Sequence, residues 1–288
     1  MKIVPEEEKT GQLLLKLLKG NGAHSRSSRE KKPTIVFVEN GIGIEEEPYE
    51  TLCKGKDAVA GTIIACNAWL GANLVEGGKA VLHGGFERLE MGLYPAPNPA
   101  NDDKEELKWR REKLKVFSDT YNRGGGKAIS FEGDIQPMRW KKVLWNAAWG
   151  GLTTLARQPV YVLLEDDNLA YTVEVVRKIM LEVVYVARAC GYDENALPSS
   201  SIDDVFNLTY TQAPSIRRTD APMNLEKDFK PSLLIDLEAK RGMELSPIIG
   251  NVVKKAREHN VETPRLDMIL AALRPSLMQV VRAKKESL

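Results

Sequence analysis

The chain has 288 residues, 43% hydrophobic and 28% charged, which is the composition of a globular protein with a packed core and enough length for two modest domains. Its 41 Lys plus Arg against 40 Asp plus Glu leave a net charge of +1, so the balance favours a small-molecule partner over nucleic acid or an anionic membrane. Cys53, Cys66 and Cys190 and the histidines His24, His83 and His259 are scattered without metal-ligand spacing, and no apolar run reaches membrane-span length. A soluble, cytoplasmic protein with reduced thiols and no metal site is expected.

In chain order, GQLLLKLLK at 11–19 predicts a short amphipathic helix, and GNGAHSRSSREKKP after it a polar linker. TIVFVEN at 34–40 is β-branched and almost wholly apolar, the pattern of a strand buried in a parallel sheet. It runs into VENGIG, and an Asn-Gly turn at the carboxyl end of such a strand suits close approach to a ligand. AVAGTIIAC at 58–66 predicts a second strand. KAVLHGG and ERLEMGLYP read as a hairpin-like pair separated by Gly85 and Phe86. KEELKWRREKLKVFSDTYNRGGG predicts a solvent-facing helix stopped by glycines, and KAISFEGDI one more strand.

From Arg139 on, the spacing is helical: 139–156, 166–190 and 231–258 are predicted as long amphipathic helices, with turns around 199–204. The sequence thus predicts an α/β part over 1–136, its first 33 residues a helix and linker with little order, followed by an all-α part over 137–288.

Two helical stretches hold polar residues in apolar frames. RWKKVLWNAAWGGLTTL at 139–155 places Lys142 and Asn146 one turn apart on a single face. The stretch 230–264 carries Ser232, Asp236 and Glu244 on a helical template, so that all three fall along one stripe of a continuous helix. Each patch alone also reads as ordinary capping and solvated charge, and VENGIG alone as a simple turn.

In this order and spacing the patches resemble the ketopantoate reductase (2-dehydropantoate 2-reductase) family. The resemblance runs from about Thr34 to about Arg274 and includes VENGIG, the pair Gly61–Thr62, the LHGG and EMGLYP strands, the DIxxxRWxKxxxN block at 134–146, the Ser232-to-Glu244 block, and GNVVKKAREHNVETP ending at Pro264. It implies a Rossmann-like NADP-binding domain joined to a helical domain like that of 6-phosphogluconate dehydrogenase, and NADPH-dependent reduction of 2-dehydropantoate or a related 2-oxo acid, a step of pantothenate biosynthesis. It further implies Lys142 as the catalytic lysine, Asn146, Ser232 and Asp236 as substrate-binding residues, Asn40 and Glu244 as cofactor-binding residues, and a homodimer.

The chain departs from the family pattern twice. The family's second asparagine, in an N-P-L-T run, is replaced in GGLTT by Gly150. The opening strand and G-x-G-x-x-G that seat the pyrophosphate have no counterpart, so the Rossmann-like part is expected to be truncated and to hold the phosphate end of NADPH weakly. The alternative implied is a catalytically inactive, truncated paralogue that serves as a helical interaction and dimerisation module.

Overall fold

The structure, a computed structural model, describes residues 9–20, 28, 31–75, 79–216 and 229–286. Most of the predicted linker, with His24, lies outside these residues. The chain divides into two compact units, one of 1–69 and 87–138, the other of 70–86 and 139–288.

The chain forms one sheet of order β1-β2-β3-β4, with β1 at Thr34–Val38, β2 at Thr62–Val75, β3 at Ala80–Tyr94 and β4 at Ala128–Phe131; residues 70–75 of β2 and 80–86 of β3 are counted with the second unit and the rest with the first. β1 runs parallel to β2 and β4 parallel to β3. The four residues between β2 and β3 are too few for a parallel crossover, so this pair is a hairpin and the sheet is mixed. Here the predicted pairing is corrected. KAVLHGG and ERLEMGLYP are not two strands but one, which passes through Gly85 and Phe86 unbroken, and the hairpin partner of β3 is β2. The second strand likewise begins at Thr62, later than expected. Ala58–Ala60 form a loop whose Val59 and Ala60 N–H groups donate to the Leu52 carbonyl.

Helix α1 (Thr10–Gly20) packs on α2 (Glu46–Leu52), and the Gly11 N–H donates to Glu47 at 2.7 Å. Leu14, Leu15 and Leu18 close over Leu52, Val59 and Ala60. Helix α3 (Lys104–Arg123) starts from Asp103, whose side chain accepts the Glu106 N–H at 2.8 Å, and lays Leu107 and Leu114 on Ile64, Cys66, Leu89, Met91 and Leu93 of the sheet. Burial pushes the Cys53 thiol up to about 12, outweighing the charges of Arg110 and Lys32, so this cysteine is an inert packing residue. On β3, Gly92 faces Ile135 so closely that an added Cβ would lie 2.8 Å from the Ile135 Cβ. Ile135 is fully buried, so Gly92→Ala is expected to destabilise this unit by about 1–3 kcal/mol, read as a lower urea midpoint.

The second unit is helical: α4 (Gln136–Trp145, which enters it at Arg139), α5 (Gly151–Ala156), α6 (Val160–Leu163), α7 (Asp166–Ala189), α8 (Ser201–Tyr210), α9 (Ser232–Glu238), α10 (Asn251–Glu258) and α11 (Pro264–Glu286). Of the turns predicted around 199–204, Ser199 and Ser200 are turn residues, and from Ser201 the chain is instead the start of α8. Helix α11 had no predicted counterpart, although Pro264 at its first position and buried Leu266, Ile269, Leu273, Leu277 and Val281 are helical signals. It packs on α5 and α7, the latter buried through Val176, Ile179, Met180, Val183 and Val186. The expected continuous helix 231–258 is two helices. Residue 240 takes a left-handed conformation, the Lys240 N–H donates to Leu237 O and the Arg241 N–H to Asp236 O, the paired bonds of a Schellman stop.

Candidate functional site

Lys142 and Asn146 sit as the spacing predicts, one turn apart, both half-buried between Val143, Leu144, Ala147 and Ala148, which are fully buried. The neighbouring Lys141 is engaged elsewhere, 2.8 Å from Asp204 on α8. At Asn146 the helix widens: Asn146–Gly150 form a π turn between α4 and α5. Such turns inside α-helices recur at functional sites because they re-aim the side chains around them.

The local sequence supports this widening. The Thr153 hydroxyl donates to the Trp149 carbonyl at 2.7 Å and the Thr154 hydroxyl to the Gly150 carbonyl at 2.6 Å, supplying partners to the main chain where the ladder is irregular. Trp145 donates its indole N–H to Thr209 at 2.8 Å, and Trp149 stacks on Phe206, so α8 braces the turn from the side. Gly151 brings α11 close, since an added Cβ would lie 3.0 Å from Ile269 Cδ1.

Ser232 opens α9 and is exposed, between Pro231 and Leu233, whose side chains pack within 3.9 and 3.4 Å of where a Gly150 Cβ would be. The start of α9 therefore lies on the very turn that begins with Asn146. Gly150 presents no side chain where Pro231 and Leu233 of the α9 start pack against this turn.

Asp236, 3% exposed, accepts from Arg241 at 3.1 and 3.3 Å through one oxygen, so part of its carboxylate holds the loop that ends α9. Glu244 does not share a helical stripe with Ser232 and Asp236, because the stop at Lys240 intervenes. It is a buried residue of the connection into a second π turn, Ser246–Gly250, and this turn packs on the first. Asn40 belongs to the other unit. It is half-buried at the carboxyl end of β1, followed by Gly41 and Gly43, both at positive φ, in the turn that VENGIG predicts.

Lys142, Asn146, Ser232, Asp236 and Glu244 thus all belong to one unit, in which the start of α9 packs on the first π turn and the second π turn packs on the first; Asp236 and Glu244 lie in the segment from Ser232 to the second π turn. The π turns were missed from sequence; the Gly-Gly and Thr-Thr pairs at 150–154 were the available signal. Among the described residues no group of three or more His, Cys, Asp or Glu could hold a metal ion, and no helix is long and apolar enough to cross a membrane.

Comparison with known proteins gives the family. Residues 134–276 match the family model "Ketopantoate reductase PanE/ApbA C terminal". A 2-dehydropantoate 2-reductase of Nostoc is 25% identical over 242 residues, 83% of this chain and 64% of that protein. An uncharacterised protein of Saccharomyces cerevisiae is 26% identical over 257 residues, 87% of this chain and 61% of its own length. The chain therefore spans less than two thirds of either curated relative. The crystal structure of 2-dehydropantoate 2-reductase from Methylococcus capsulatus superposes with a TM-score of 0.65 at 26% identity, covering 88% of this chain and 68% of that one. With the helical match containing every site residue except Asn40, and a solved relative sharing both the mixed sheet and the helices, the chain belongs to the ketopantoate reductase family.

Proposed function

We propose that the protein reduces the ketone of 2-dehydropantoate, or a closely related 2-oxo acid, with NADPH as donor. The observation that carries this reading is the pair Lys142 and Asn146, one turn apart and half-buried, where α4 meets the first π turn. Addition of hydride to a ketone carbon produces an alkoxide. A positioned ammonium at Lys142 stabilises that charge and delivers the proton. Asn146 and Ser232 offer hydrogen bonds to the oxo acid without competing for the proton, and Asp236 supports them through its hold on Arg241.

The nicotinamide cofactor supplies the hydride when bound. The turn at Asn40, with glycines at positive φ at the end of a parallel strand, fits its nicotinamide end, and Glu244 is the second proposed contact. A homodimer in the cytoplasm, acting in pantothenate biosynthesis, completes the proposal. The interaction-module reading is less well supported, because the family-matched segment 134–276 keeps Lys142, Asn146, Ser232, Asp236 and Glu244 together.

Calorimetric titration with 2-dehydropantoate tests the site directly. Asn146→Ala removes a hydrogen bond to a charged ligand, about 1.5–3 kcal/mol, and should weaken binding by roughly 10- to 100-fold. A wild-type protein that does not bind the oxo acid, or an Asn146→Ala protein that binds it equally well, would sink the proposal.

A further inference from the structure

One buried polar cluster in the sheet unit has no part in the site as described. Glu90 on β3 is 5% exposed, and its carboxylate is met from three sides. One oxygen accepts from Asn67 Nδ2 at 2.6 Å and from Trp69 Nε1 at 3.0 Å, both on β2. The other lies 2.9 Å from the Arg88 guanidinium, which also covers the Trp69 ring at 5.6 Å. Burying a carboxylate is costly unless it is paired and hydrogen-bonded, and this one has both.

The cluster aims Asn67. This side chain is 1% exposed, and its Nδ2 also donates to the main-chain carbonyl of Met138 at 3.1 Å. With one N–H taken by Glu90, the second is directed at Met138 O. Met138 is in the first turn of α4, where its carbonyl is also the helical acceptor for the N–H of Lys142, four residues on. Met138, Lys142 and Asn146 form one i, i+4, i+8 stripe.

We infer that Asn67, oriented by Glu90, is a positioning residue for Lys142: it fixes the carbonyl on which the lysine's own helical turn is built. The inference rests on the proposed reading of Lys142 as the proton donor and Asn146 as the substrate holder. A bond that steadies the first turn of α4 also steadies the helical turn that carries the ammonium.

Amide hydrogen exchange on the full chain, read by mass spectrometry over peptides covering 139–146, tests the anchor without any ligand. Asn67→Leu keeps the volume and removes both donated bonds. Exchange in α4 is expected to rise by roughly 10-fold, the scale of one hydrogen bond, while α7 and α11 stay as protected as in the wild type. Glu90→Gln, which keeps an acceptor oxygen for Asn67, should retain most of that protection, and Glu90→Leu should not. Unchanged exchange in α4, or an equal rise across every helix, would overturn the inference. Titration with 2-dehydropantoate separates it from the reading beneath it. If Asn146→Ala weakens binding while Asn67→Leu, with α4 loosened, binds as the wild type does, the positioning role fails and the site stands. If the wild type does not bind, the site reading fails, and with it the role for Lys142.

Discussion

Replacing Lys142 with alanine is expected to lower kcat/KM for NADPH-dependent reduction of 2-dehydropantoate by about three orders of magnitude. Proton delivery by a positioned acid contributes roughly 10²–10⁴-fold and a preorganised charge at the developing oxyanion roughly 10²–10³-fold. Because one ammonium provides both, the two effects are not additive, and about 10³ is the expected total. The loss should fall mainly on kcat, since the full negative charge on the oxygen exists only near the transition state. The ratio between variant and wild type does not depend on how tightly the cofactor is held, because both proteins share every proposed cofactor residue. Steady-state rates at matched NADPH decide it. A Lys142→Ala protein within tenfold of the wild type would remove the lysine from the mechanism, and Lys141, already bound to Asp204, has no geometry to replace it.

The second large effect is on stability, at the helix that backs the site. Glu182 on α7 is 4% exposed and caps α11 from outside: its carboxylate accepts the main-chain N–H groups of Arg265 at 3.2 Å and Leu266 at 3.0 Å, and pairs with the Arg265 guanidinium at 2.9 Å. The first N–H groups of a helix have no partner within it, and their positive end of the helix dipole favours an anion there. Glu182→Ala leaves these donors in a buried setting with nothing to accept them. Breaking a buried pair costs roughly 3–5 kcal/mol, and because Arg265 remains about one-third exposed, the expected loss is nearer 3 kcal/mol. Urea unfolding followed by helix dichroism should show a lower midpoint with an unchanged slope. A shift below about 1 kcal/mol would mean that water replaces the carboxylate at the start of α11.

Both effects depend on buried contacts of very different sequence range, and that range governs what could be read in advance. Lys142 and Asn146 are four residues apart in an amphipathic run, so their shared face follows from helical pitch alone. The turn after β1 was legible for the same kind of reason: Asn-Gly after an apolar strand calls for positive φ, and Gly41 and Gly43 both have it. The family pattern added the proposed roles of Ser232, Asp236 and Glu244 and the expectation of two parts.

The sequence misled where a local signal had two meanings. Gly85 and Phe86 look like a break between two strands, yet β3 runs through both, and its neighbour β2 is one that no local pattern reveals. The break between α9 and the second π turn lacked its usual signal, because the left-handed residue is Lys240, whereas the glycine comes two places later at Gly242.

By itself, then, the sequence determined what is periodic or local: the helices α4 and α7, the strand β1, the glycine turn, and the one-turn spacing of the lysine and asparagine; the burial expected of β1 is confined to Phe37, and Val38 is exposed. Tertiary structure alone decided the rest. Glu182 finds the start of α11 across 83 residues, and Asn67 finds Met138 across 71. The π turn at Asn146 is held in a well defined by α8, α9 and α11. The physical reason is that a buried carboxylate or amide takes whichever donor or acceptor packing brings within 3 Å, and that choice follows from the close approach of helices and strands, not from chain neighbours.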